Sequence, residues 1–159
     1  MFGMADTDPT SGLWNWAAAA SLSPDRVHGA LAGALERTVA PLGPAPADGA
    51  VLCDVYPVGG DFPTLIDVYL APETIAESTA ASAVAVRLEI EIMFPDDTLD
   101  PTRYVLAAPD GGLRPVHVDE VETDDGPERR RVRPCTAADC AGAGSLFEPD
   151  ADPDRPAAA

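Results

Sequence analysis

Residues 51–70 constrain this chain more than any other stretch. They read Val-Leu-Cys-Asp-Val-Tyr-Pro-Val-Gly-Gly-Asp-Phe-Pro-Thr-Leu-Ile-Asp-Val-Tyr-Leu. The run Leu52-Cys53-Asp54-Val55-Tyr56 is echoed by Leu65-Ile66-Asp67-Val68-Tyr69. Both runs are β-branched and aromatic and poor in helix formers, so both predict strands. The Pro/Gly-rich link from Pro57 to Pro63 is short enough to pair them as an antiparallel hairpin, which is expected to form the centre of a sheet. Strand side chains alternate, so Asp54 and Tyr56 share a face, as do Asp67 and Tyr69. A link of this length leaves the register open, and with it whether Asp54 meets Asp67.

The remaining elements follow from local signals. In Leu13-Trp14-Asn15-Trp16 the two tryptophans fall on one side of an extended segment that anchors an N-terminal arm. Ser23-Pro24-Asp25 is a helix start, with an N-cap hydroxyl, proline in the first turn and an acid beside it. Val27, Leu31, Leu35 and Val39 continue as one apolar stripe until Pro41. His28 sits at the edge of that stripe, where a half-buried packing role is expected. Ala71-Pro72-Glu73 opens a second helix rich in small residues, expected to give way to a strand near 84–86. Val86, Leu88, Ile90, Ile92 and Phe94 alternate with Arg87, Glu89, Glu91 and Met93, the pattern of a half-buried strand. Further strands are expected at 104–107, 116–121 and 129–133, separated by turns at 109–112 and 124–127. A four-residue turn at 124–127 would set Glu122 opposite Arg129 and Glu120 opposite Arg131, tying up the arginine cluster in cross-strand pairs.

Charge narrows the function classes. The formal net charge is -17, and all ten basic residues are arginine. Residues 13–146 hold 21 of the 27 acids and nine of the ten arginines, so the acidity belongs to the domain as well as to its ends. Such a field repels nucleic acid and anionic lipid and favours a basic protein partner, a cation or plain solubility. The lysine-free, Ala/Gly/Pro/Asp-rich composition reads as the product of a GC-rich bacterial genome. The acidic opening Met-Phe-Gly-Met-Ala-Asp lacks the basic start of a signal peptide, and three cysteines without a leader point to reduced thiols in a cytoplasm.

Motifs for chemistry are sparse. Cys135 and Cys140 lack the second Cys or His pair that structural zinc requires. Asp150, Asp152 and Asp154 begin like a calcium loop but meet Arg155 where glycine is needed. Without lysine there is no P-loop lysine, Schiff base or Ser-Lys dyad, and no Gly-x-Ser-x-Gly or His-Glu-x-x-His motif occurs. These features point away from catalysis, and neither a cofactor nor a metal is expected.

The expected architecture is one α+β domain over 13–146, between a loose tail at 1–12 and an acidic disordered tail at 147–159. It is a mostly antiparallel sheet of five or six strands with two main helices on one face. The general character of the chain, compact, acidic and motif-poor, is that of immunity-type inhibitors of bacterial toxins, although no motif carries the likeness. The expected partner-binding surface is Gly59, Gly60, Asp61 and Phe62 with the turn Asp96-Asp97, an apolar anchor ringed by acids. Two other classes fit the same sequence. One is an enzyme or ligand-binding protein with a pocket between sheet and helices, using His117 or the Asp/Tyr pairs of the hairpin. The other is a scaffold subunit that dimerises through an edge strand.

Overall fold

The computed structural model describes residues 12–43, 49–96 and 102–135. Residues 1–11 of the expected tail at 1–12, Asp97, Cys140 and the tail from 147 onward lie outside the described residues. In chain order the elements are β1 (Trp14–Ala18), α1 (Pro24–Leu35), β2 (Val39–Ala40), β3 (Val51–Pro57) and β4 (Thr64–Tyr69). They continue with α2 (Glu77–Leu88), β5 (Ile92–Pro95), β6 (Arg103–Ala107), β7 (Leu113–Thr123) and β8 (Gly126–Pro134).

The fold is α+β, but the sheet has eight strands, not five or six, in the order β2-β3-β4-β1-β5-β6-β7-β8. It is also mixed, because β2 runs parallel to β3 while every other neighbouring pair is antiparallel. The hairpin β3–β4 therefore lies toward one edge, and the centre belongs to β1 and β5. The expected N-terminal arm is that central strand. Trp14, Trp16 and Ala18 face the helices and Ala17 the opposite side, with Trp16, Ala17 and Ala18 each no more than 1% exposed. Asn15 is the one exposed residue of the strand, so little polar alternation betrays its central place. The two indoles stack with centroids 5.5 Å apart.

Both helices pack on one face. Ser23 caps α1, its Oγ accepting from the Arg26 amide at 3.2 Å. The helix ends at Leu35, where Glu36 takes a left-handed conformation, so Val39 belongs to β2 and not to the helical stripe. α2 begins at Glu77, later than Pro72 suggested, and runs through Leu88 before Glu89 turns left-handed. The alternation from Val86 to Phe94 thus spans a helix end and the short β5. Val84, Ala85 and Leu88 are buried on the 3.6-residue period, and that burial wins over the two-residue pattern. Arg26 donates from Nη2 to the Leu88 carbonyl at 3.1 Å, satisfying one orphan acceptor of the α2 C-terminus. Trp16, Leu31, Ile66, Leu88 and Ile92 make the heart of this core.

The other face curls over a second core of Ala17, Val58, Phe62, Leu65, Met93, Tyr104, Leu106, Val116 and Val118. No helix covers it. Instead the β3–β4 loop reaches across to the last strand. Gly60 forms an isolated bridge with Arg129, the Asp61 amide donates to the Arg129 carbonyl at 2.9 Å, and the Arg131 amide donates to Asp61 Oδ2 at 3.1 Å. Gly60 has φ +91, and a Cβ there would lie 2.8 Å from the Arg129 carbonyl oxygen. Only glycine lets the loop approach so closely.

The β7–β8 register also departs from expectation. Thr123 pairs with Gly126 around a two-residue turn, Asp124-Asp125, so Glu120 stands opposite Arg129 and Glu122 opposite Pro127. Gly126, at φ +124, permits the tighter turn. A register shift between His117 and Asp119 bends the hairpin.

Candidate functional site

The curl leaves a recess of about 280 Å³ on the helix-free face. Its polar walls are Asn15 on β1, Tyr56 and Asp67 on β3 and β4, Tyr104 on β6, and Glu120 and Arg129 on β7 and β8. Asn15 and Asp67 are register partners, which puts their side chains together on this face. Asn15 Nδ2 donates to Asp67 Oδ1 at 2.9 Å, and the Tyr56 hydroxyl donates to Asp67 Oδ2 at 3.2 Å. Asp54 is the Cα partner of Asp67, so the two hairpin acids do meet. Burial and the neighbouring Asp67 charge push the Tyr56 hydroxyl up to about 12, so it stays protonated and donating at neutral pH.

On the opposite wall the Tyr104 hydroxyl donates to Glu120 Oε1 at 2.7 Å. Burial, and next the bond to Glu120, raise the Tyr104 hydroxyl above its ordinary value. The Arg129 guanidinium lies over the Tyr104 ring, 5.4 Å from its centroid, in a cation–π contact. Its Nη2 is 4.0 Å from Glu120 Oε1. Arg129 is 8% exposed, and its Nε and Nη1 have no hydrogen-bond partner among the described residues.

The residues singled out in the β3–β4 loop have structural duties. Phe62 is 3% exposed and belongs to the second core, so it is not an exposed anchor; its ring fills the space beneath the curl. Gly59 and Gly60 bring the loop against Glu128 and Arg129, and Asp61 holds the Arg131 amide. Asp96 is ion-paired to Arg103 Nε at 2.7 Å. The helix–sheet interface is filled by core, so the recess lies on the sheet face opposite to the expected pocket. His117 is buried away from it, with Nδ1 3.0 Å from Thr102 Oγ1, and His28 Nε2 is 3.2 Å from the Cys53 carbonyl oxygen. A second depression of about 250 Å³ beside Glu77, Ser78, Phe94 and Asp96 holds acids that are already engaged, Glu77 by Trp16 Nε1 at 3.0 Å and Asp96 by Arg103.

Of the recess residues, sequence reasoning had marked Tyr56 and Asp67. The pattern also places Glu120 and Arg129 in one cross-strand ladder, two residues out of the observed register. Asn15 and Tyr104 carried no signal beyond lying in extended segments. Among the described residues, no group of three or more His, Cys, Asp or Glu is placed to hold a metal ion. Cys53 is free and buried, and burial pushes its thiol up to about 12. Cys135 is disulfide-bonded, unlike the reduced thiol expected there. No helix among the described residues is long and apolar enough to cross a membrane.

Comparison with known proteins finds no matching family model, no matching curated protein and no matching solved structure.

Proposed function

We propose that this protein is a protein-binding domain that receives a basic partner on the tip of the β7–β8 hairpin, in the manner of an immunity-type inhibitor of a bacterial toxin. The observation that carries this reading is how charge is shared along the hairpin. Every arginine of β8 faces a carboxylate of the same hairpin: Arg129 faces Glu120, Arg130 faces Glu128, and Arg131 and Arg133 face Asp119. The bond from Arg131, followed by the charges and donors around it, holds the Asp119 carboxyl below its ordinary value. Glu122, Asp124 and Asp125 are exposed at the tip and form no ion pair among the described residues. Beside them Val121 is 37% exposed, an apolar contact with an acidic rim. Unpaired acids around an apolar contact steer a basic surface into register and speed its association.

The test is a rescue assay. Neighbouring reading frames are expressed in a test bacterium, alone and together with this protein. Restored growth with one toxic neighbour supports the reading. The variant Glu122→Lys, Asp124→Lys, Asp125→Lys should then lose rescue while keeping the wild-type circular dichroism spectrum. Rescue that fails with both proteins soluble, or that survives the triple reversal, removes it.

A further inference from the structure

We propose that the recess on the helix-free face binds a small zwitterion of the α-amino-acid type, with Arg129 taking the carboxylate and Asp67 the ammonium group. The inference stands apart from any partner at the hairpin tip and rests on three observations.

The first is the state of Arg129. A guanidinium carries five N–H donors and stays charged at every accessible pH. Burying such a charge is unfavourable unless it is paired and its donors are satisfied. Among the described residues the nearest carboxylate oxygen is 4.0 Å away and already accepts from Tyr104, while Nε and Nη1 meet no acceptor. The side chain is held in place by the Tyr104 ring and lines the recess, so an entering oxyanion meets a guanidinium that is already fixed in position.

The second is the opposite wall. Asp67 accepts one bond at each oxygen, from Asn15 and from Tyr56. A carboxylate has roughly four lone-pair sites, so each oxygen keeps room for one more donor. Tyr56 and Asn15 orient the group. The wall thus offers a preorganised anionic acceptor to an incoming cation.

The third is the charge balance. The lining holds two carboxylates, Asp67 and Glu120, against the single Arg129. A simple carboxylate would meet two like charges beside one cation, and a simple amine would leave Arg129 unanswered. A ligand carrying both charges answers both walls. At about 280 Å³ the space suits a molecule the size of an amino acid, near the lower end of ordinary ligand cavities.

The experiment is calorimetric titration of the full chain with L-alanine, L-leucine and L-glutamine at millimolar concentration, with propionate and propylamine as single-charge controls. At least one amino acid should bind, and both controls should bind at least tenfold more weakly, about the value of one charge-assisted hydrogen bond. Amide resonances of residues 15, 56, 67, 104, 120 and 129 should move on addition. Arg129→Gln and Asp67→Asn should each weaken binding by about tenfold or more. Asp67 lies outside both hydrophobic cores, so Asp67→Asn remains a folded test if Arg129→Gln unfolds. No binding by any of the three amino acids overturns the proposal. So does propionate or propylamine binding as tightly as the amino acid, or binding that survives both substitutions in folded protein.

Discussion

Gly60→Ala isolates the contact that closes the second core. At φ +91 a side chain is strained whatever the space, which costs on the order of 1–3 kcal/mol. The new methyl would also lie 2.8 Å from the Arg129 carbonyl oxygen and 3.2 Å from its amide nitrogen. Those are backbone atoms held in a strand, so the loop must retreat. Retreat breaks the bond from the Asp61 amide to Arg129 and the bond from the Arg131 amide to Asp61, each of which contributes about 1 kcal/mol. We expect a total loss of about 3–5 kcal/mol. For a chain of 159 residues that lowers Tm by roughly 6–20 °C. Gly49→Ala is the control, because Gly49 has φ +77 and nothing within 4 Å of its added Cβ. It carries the backbone term without the collision. Urea unfolding followed by the fluorescence of Trp14 and Trp16 measures both variants. A Gly60→Ala loss no larger than that of Gly49→Ala refutes the claim that the loop holds the curl closed.

Two further outcomes follow from the cores and the buried titratable groups. Trp16→Phe removes the bond from Nε1 to Glu77 and leaves part of a packed site empty, and should lower stability by about 1–3 kcal/mol in the same urea assay; an unchanged midpoint would deny β1 its central place. Above neutral pH, stability should be flat and then fall. The Cys53 thiol rises from 9.0 to about 12 and the Tyr56 hydroxyl from 10.0 to about 12 on folding, so the folded state holds both protons more tightly. Their contribution is complete below pH 9 and is lost as pH climbs from 9 toward 12. Urea midpoints measured across that range, with Cys53→Ala beside wild type, check the sign; a midpoint that rises with pH contradicts the burial of these groups.

What could be read from the chain was what local pattern encodes. The α1 cap at Ser23 and the strand pair around 51–70 follow from side chains a few residues apart, and both formed where the residues placed them. β1 was legible as extended and illegible as central, because Asn15 is its one polar residue and a short, mostly apolar run does not say what covers it. The α2–β5 junction misled for a related reason. Alternating residues from Val86 to Phe94 satisfy the strand period, while Val84, Ala85 and Leu88 satisfy the helical one, and only packing against α1 decides. The recess was least accessible of all. Asn15, Tyr56, Asp67, Tyr104, Glu120 and Arg129 come from six strands, and no spacing along the chain relates them. They meet because the sheet curls, and the contacts of Gly60 and Asp61 with β8 tie that curl together.

That dependence ties the site to the fold in a way that can be separated experimentally. A sheet with helices on one face alone must bury its other face by some other means, since an eight-stranded sheet with one bare apolar side would associate. Here the β3–β4 loop and the β7–β8 hairpin fold toward each other over Phe62, Leu65, Met93 and Leu106. The strand segments that reach the rim of that closure are polar, because the rim meets water. Closure therefore draws Asp67 and its partners on one side toward Glu120 and Arg129 on the other, and the recess is the gap left between them. Gly60→Ala should then weaken stability and amino-acid binding together, because it opens the closure that sets the two walls. Asp67→Asn should weaken binding with little loss of stability, because it changes one wall and leaves the closure intact. If Gly60→Ala destabilises the protein and leaves binding unchanged, the walls are set by something other than the curl.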